Sequence, residues 1–148
     1  MTSRIEQSTY SERLLEGHFL RSRVVQNNEI DELGHVNNVV WVGYVVRLAI
    51  AHSRFLGWDV IEKRFPESTW VIYSQEVTYH APAFEGEELT EETWVSFIKG
   101  ARCIRQTSIY SKDLLLSAQT TWVWTNRATG RARRIPVELS DRITSSEI

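Results

Sequence analysis

Between Val39 and Ala51 the chain carries a single charge, Arg47, and after Gly57 its hydrophobic period changes from that of a helix to that of strands. Trp41, Tyr44, Val45, Leu48 and then His52 or Phe55 fall at i, i+3, i+4, i+7 spacing, which predicts a helix from about Asn37 to Leu56. Gly57 is a suitable residue just past its end. Val40, Val42, Val46 and Ile50 add apolar groups on the other faces. A helix apolar nearly all round is expected to be buried nearly all round. Its valines are poor helix formers, so tertiary packing must hold it helical.

Around this helix the remaining segments read as strands. His18–Gln26, with Phe19, Val24 and Val25 between arginines, reads as a first strand, ended by the turn-prone Asn27-Asn28-Glu29. Ser11–Leu15 reads as a helical turn within a loose lead-in over residues 1–17. Trp58–Phe65 reads as a short second helix closed by Pro66. Trp70–His80, Thr90–Lys99, Arg102–Ser111 and Leu115–Thr125 are rich in β-branched and aromatic residues and alternate with period two. Gly86, Gly100 and Lys112-Asp113 supply the turns. The expectation is an α+β fold: one domain over residues 18–148, with a curled, mostly antiparallel five-stranded sheet wrapped round a long central helix. One sheet cannot cover a helix on every side, so a second copy is expected to complete the burial, as a homodimer or homotetramer.

Composition narrows the class. At 148 residues one domain suffices. A formal net charge of −2 argues against a protein dedicated to nucleic acid. The single cysteine, Cys103, fits a reducing compartment, and residues 1–17 lack a signal peptide's apolar stretch. No apolar run reaches the ~18 residues that would cross a bilayer, so a cytoplasmic protein is expected. Six tryptophans are many for this length and imply a thick core, a subunit interface or a pocket for a large apolar ligand. His18, His52 and His80 match no zinc spacing, no metal is expected, and neither a phosphate loop nor a Gly-x-Ser-x-Gly elbow occurs.

The chemistry concentrates in Asp31-Glu32-Leu33-Gly34-His35-Val36-Asn37-Asn38, immediately before the helix. Helix N-termini present unpaired N–H groups and a positive dipole end, suited to polarising a carbonyl. Backbone N–H groups from Gly34 to Asn38 are candidates to hold a developing oxyanion, and Gly34 allows close backbone approach. Asp31 reads either as a carboxylate that attacks or takes a proton, or as a helix-start turn residue. His35 either orients a substrate or hydrogen-bonds Asp31, or is structural; Asn37 and Asn38 read more readily as caps.

The order of elements and this motif together resemble the hotdog-fold thioesterases, in particular the 4-hydroxybenzoyl-CoA thioesterase-like and acyl-CoA thioesterase group. Asp31, Gly34, His35, Val36, Asn37 and Asn38 carry an Asp-x-x-Gly-His-Val-Asn-Asn segment between first strand and central helix. Tyr44 stands where that group commonly has an aromatic. Val77–Glu87 resembles its second-strand pattern, and Thr129-Gly130-Arg131 with Ile135-Pro136 its closing hairpin and exit. The similarity spans roughly Phe19 to Pro136. Leu33 departs from the Asn that plant acyl-carrier-protein thioesterases carry two residues after the aspartate, so a mechanism needing that Asn does not transfer.

The resemblance implies hydrolysis of an acyl thioester, of CoA or of acyl-carrier protein, to free acid and thiol, with no cofactor beyond the substrate's own CoA. It implies Asp31 as nucleophile or general base, with Gly34, His35, Val36 and Asn37 around it, and Asn38, Trp41 and Tyr44 toward the substrate; Glu76 is a candidate to face the pocket across a dimer, though it reads more readily as an outward strand residue. Lys99, Arg102 and Arg105, or Arg127, Arg131, Arg133 and Arg134, are candidates for CoA phosphates; as single residues each reads as solvated surface. A non-catalytic acyl-CoA-binding hotdog protein is the rival, because the fold hosts both. A hotdog dehydratase is a weaker third reading.

Overall fold

The computed structural model describes residues 12–146, with side chains as far as residue 143. The first eleven residues of the expected lead-in lie outside that range. Six strands form one antiparallel sheet: β1 (Arg13–Leu15), β2 (His18–Val24), β3 (Ser68–Tyr79), β4 (Glu88–Lys99), β5 (Arg102–Tyr110) and β6 (Leu114–Asn126), in the order β1-β2-β4-β5-β6-β3. The helices are α1 (Asn38–Phe55), α2 (Trp58–Glu62) and α3 (Val137–Ser146). This is the hotdog arrangement, a long helix laid across a curled antiparallel sheet.

Four departures from expectation have local causes. Residues 13–15 are a strand, not a helical turn, because Glu16 (φ 50°) and Gly17 (φ 81°) make a two-residue hairpin turn back into β2. The sheet thus has six strands rather than five and begins within the segment read as a lead-in. α3 follows Pro136 and places Leu139 and Ile143 one turn apart against the core. Lastly, α1 is not buried all round within one chain. Trp41, Tyr44, Val45, Leu48, Ala49 and His52 face the sheet, while Val39 (79 % exposed), Ile50 and Phe55 stand outward. One curled sheet can enclose only one side of a helix.

Strand register sorts side chains between the sheet's two faces. On β5 the inward row is Cys103, Arg105, Thr107 and Ile109; the register places Trp122, Thr120, Ala118 and Leu116 of β6 beside them. Two apolar cores result. One gathers Val36, Trp41, Tyr44, Val45, Leu89, Ile109 and Leu116 near the start of α1. The other gathers Leu56, Trp58, Ile61, Cys103, Trp124 and Leu139 near its end. Inward polar residues lie on the same face. Glu91, fully buried, accepts from Arg21 Nε at 3.1 Å and Arg23 Nε at 3.0 Å, and Arg105 donates to His52 Nδ1 at 2.6 Å and Thr93 Oγ1 at 3.3 Å.

Candidate active site

The loop before α1 is shaped by its own backbone. Asp31 N–H donates to His35 C=O at 2.7 Å, and Gly34 N–H donates to Asp31 C=O at 3.0 Å. Gly34 sits at φ 80°, with open space where a Cβ would be, so its glycine answers to backbone conformation rather than to crowding. Asp31 Oδ1 accepts the Leu33 N–H at 2.9 Å and the His35 N–H at 3.3 Å. Its carboxylate is therefore pinned by one oxygen, and Oδ2 has no donor among the described residues. The residue is half-buried.

The amides expected to form an oxyanion clamp are mostly in use. Gly34 and His35 are turned to Asp31, Val36 N–H donates to Ala83 C=O at 2.9 Å, and Asn37 N–H donates to Glu29 C=O at 3.0 Å. Among the described residues Asn38 N–H, the first of α1, is the one of this set left without an acceptor. Asn37 is the N-cap, its Oδ1 accepting Val39 N–H at 2.8 Å. Val36 is buried in the first core.

His35 reaches Asp31 through its backbone and not through its ring. The imidazole instead meets Phe84 edge-on, 5.2 Å between centroids. Phe84 and Tyr79 are half-exposed, and Leu33 and Val39 more so. Phe84 carries apolar surface to the loop that the sequence reading had not marked.

The other predicted site residues separate from this loop. Trp41 and Tyr44 are core residues, packed edge to face at 5.6 Å, with the Arg23 guanidinium 4.3 Å from the Tyr44 ring centroid. Burial raises the Tyr44 pKa, and the Glu29 carboxylate adds to the rise. Glu76 pairs in register with Gln119 on the sheet face away from α1, and is exposed. Arg102 and Arg105 do not form one cluster. Three residues apart on a strand, they point to opposite faces: Arg102 is exposed, 5.5 Å from the Tyr73 ring centroid, whereas Arg105 is buried. Arg127 and Arg133 fasten the end of β6 to the start of β3, donating to Pro66 C=O, Ser68 C=O and Ser68 Oγ.

Two cavities lie toward the far end of α1. One, of about 540 Å³, is walled by Ala49, Ile50, Trp58, Trp70, Trp122 and Trp124, with Cys103 and Arg105 on its floor. The other, of about 670 Å³, opens beside Lys99, Gly100, Arg133 and Arg134. Neither of these two is lined by residues 31–38. Near the first cavity burial lowers the His52 pKa to about 3, with Arg105 adding to the effect, and burial raises the Cys103 thiol to about 11. Among the described residues no His/Cys/Asp/Glu cluster could hold a metal, and no helix is long and apolar enough to cross a membrane.

A long helix across a curled antiparallel sheet, with a carboxylate loop at its start, defines a hotdog protein of thioesterase type. A family model for the thioesterase-like superfamily matches residues 25–143, and the chain belongs to that superfamily. Solved structures share the fold. A Staphylococcus aureus protein solved in complex with CoA superimposes with a TM-score of 0.81 at 14% identity, over 91% of this chain and 87% of that one. The 1,4-dihydroxy-2-naphthoyl-CoA thioesterase of Synechocystis gives 0.77 at 17% identity, over 86% and 96%. The DHNA-CoA thioesterase of Staphylococcus aureus gives 0.77 at 14%, over 86% and 91%. A search of curated protein sequences found no match.

Proposed function

We propose that the protein is an acyl-CoA thioesterase, hydrolysing an acyl thioester to free acid and CoA thiol, with Asp31 as nucleophile or general base. The observation that carries this reading is the half-tied carboxylate: Oδ1 is held by two amides, while Oδ2 and the Asn38 N–H at the positive end of α1 have no partner among the described residues. As base, Asp31 takes the proton of a water whose oxygen bonds to the thioester carbon. As nucleophile, its own oxygen forms that bond, and water later cleaves the anhydride. In either route the carbonyl oxygen gains charge that the Asn38 N–H stabilises. The C–S bond then breaks, and the thiolate leaves and is protonated. No cofactor takes part beyond the CoA of the substrate.

The acyl group has exposed apolar surface to lie on, at Leu33, Val39, Tyr79 and Phe84. The reading places a second copy over that surface. β3 is a 12-residue edge strand with exposed Val71, Ile72 and Tyr73, and such an edge invites pairing with another chain. A homodimer or homotetramer follows, acting in the cytoplasm. Arg102 or the arginines after β6 are the candidates for CoA phosphates. The CoA bound by one structural relative and the CoA-thioester substrate named for another favour CoA as the thiol.

A panel of aliphatic and aromatic acyl-CoAs, followed with a thiol-reactive dye, tests the proposal. Thiol release with at least one substrate is expected. A rise in melting temperature with acyl-CoA and no thiol release across the panel would identify a binding protein instead.

A further inference from the structure

We infer that the four-tryptophan cavity beside the end of α1 is a binding site for an aromatic carboxylate, distinct from the Asp31 loop of the same chain. About 540 Å³ is ample for a bicyclic ring. Its walls are flat and apolar: Trp58 and Trp70 stack at 5.6 Å, and Trp124 meets Trp70 edge-on at 5.1 Å. Flat walls favour a flat guest.

Two buried donors on those walls lack what they need. Trp122 Nε1–H is buried with no acceptor among the described residues, and its strand position places it beside Cys103 and two residues from Trp124. Arg105 is buried, keeps its charge, and makes hydrogen bonds only to neutral groups, His52 Nδ1 and Thr93 Oγ1. Among the described residues no carboxylate pairs with it. A buried cation without a counter-charge is costly, and an anion brought by a ligand relieves it. Acids on the wall do not fill this need: Glu62 accepts the Trp70 Nε1–H at 3.0 Å, and Asp59 is exposed. Arg54, Lys63 and Arg127 on the same walls leave cations in excess over these two acids.

The site is remote from Asp31 within one chain. The loop precedes Asn38, whereas the cavity borders Ala49 to Arg54, about 16–24 Å further along at the helical rise. The inference therefore stands whether or not Asp31 hydrolyses thioesters.

Calorimetric titration of the full chain with 2-naphthoate tests it. Saturable binding at one site per chain is expected. Trp122→Phe, which keeps a ring but removes the N–H, is expected to weaken it by about tenfold. 2-Naphthalenemethanol, with the same ring and no charge, is expected to bind at least about tenfold more weakly than 2-naphthoate. Asp31→Asn is expected to bind 2-naphthoate as the parent does. Absence of saturable binding, equal affinity of parent and Trp122→Phe, equal affinity for the alcohol, tighter binding of decanoate, or loss of binding in Asp31→Asn would each overturn the inference.

Discussion

At its start α1 emerges from a loop whose backbone amides are almost all hydrogen-bonded; at its end it borders a cavity where, among the described residues, the Trp122 N–H has no acceptor and Arg105 no counter-charge. Four of its five candidate amides have acceptors, Gly34 and His35 on Asp31, Val36 on Ala83 and Asn37 on Glu29, leaving one carboxylate oxygen and one N–H without a partner among the described residues. A rigid loop with two unengaged groups is a pre-organised site for a transient charge. Around the cavity the Trp122 N–H and the Arg105 charge are desolvated before any ligand arrives. That arrangement suits a stable anion held in place. The lesson is that unsatisfied polar groups have to be read together with their solvent: exposed ones are available for reaction, whereas buried ones call for a partner.

Between the two ends lies the ionic knot of Glu91, and breaking it is the severest test of how far the ends depend on one framework. Glu91→Gln leaves Arg21 and Arg23 facing a neutral amide in the core, and a loss of about 3–5 kcal/mol is expected by denaturant titration. A loss under about 1 kcal/mol would show that the knot is dispensable.

The cavity end is also the acid-sensitive end. His52 is held neutral in the fold, with its pKa lowered to about 3, and ionises near its ordinary value of ~6.5 when unfolded. The unfolded chain therefore binds more protons between those values. The stability His52 contributes is complete above pH ~6.5 and is lost as pH falls toward about 3, by up to ~1.4 kcal/mol per unit. Thermal melts of the parent and of His52→Gln between pH 7 and 4.5 should diverge, the parent falling more steeply. Parallel slopes would remove His52 from the account.

The smallest effect is expected at the start of α1. Asn37→Ala removes the side-chain cap on Val39 N–H and should cost about 1 kcal/mol. Asn37→Asp, which keeps an acceptor, should restore it.

Much of this was legible in the sequence. The helix ran to within a residue of Asn37–Leu56, because a long apolar period ended by glycine has few other solutions. The four later strands matched to within two residues, since turn residues marked each end. Asn37 was readable as a cap from residue type alone. β1 was not, because three residues with no alternation carry no period, and the Glu16-Gly17 turn is a weaker signal than Asn-Gly. α3 was missed although Pro136 and the Leu139/Ile143 spacing mark it. The engagement of the loop amides depends in part on partners outside the loop, Ala83 and Glu29, which no local pattern reveals. Arg105 was grouped with Arg102 by nearness in sequence, when a spacing of three on a strand already sends them to opposite faces. Its burial beside His52, 53 residues earlier, is long-range information.

The most direct measurement compares CoA-thiol release by the parent and by Asp31→Asn, using an acyl-CoA that the parent hydrolyses. The amide keeps an oxygen for the Leu33 and His35 N–H groups, so the melting temperature should hold while the rate falls by about 10²–10⁴-fold. A folded Asp31→Asn variant that releases thiol at the parent rate would contradict the assignment of hydrolysis to this loop.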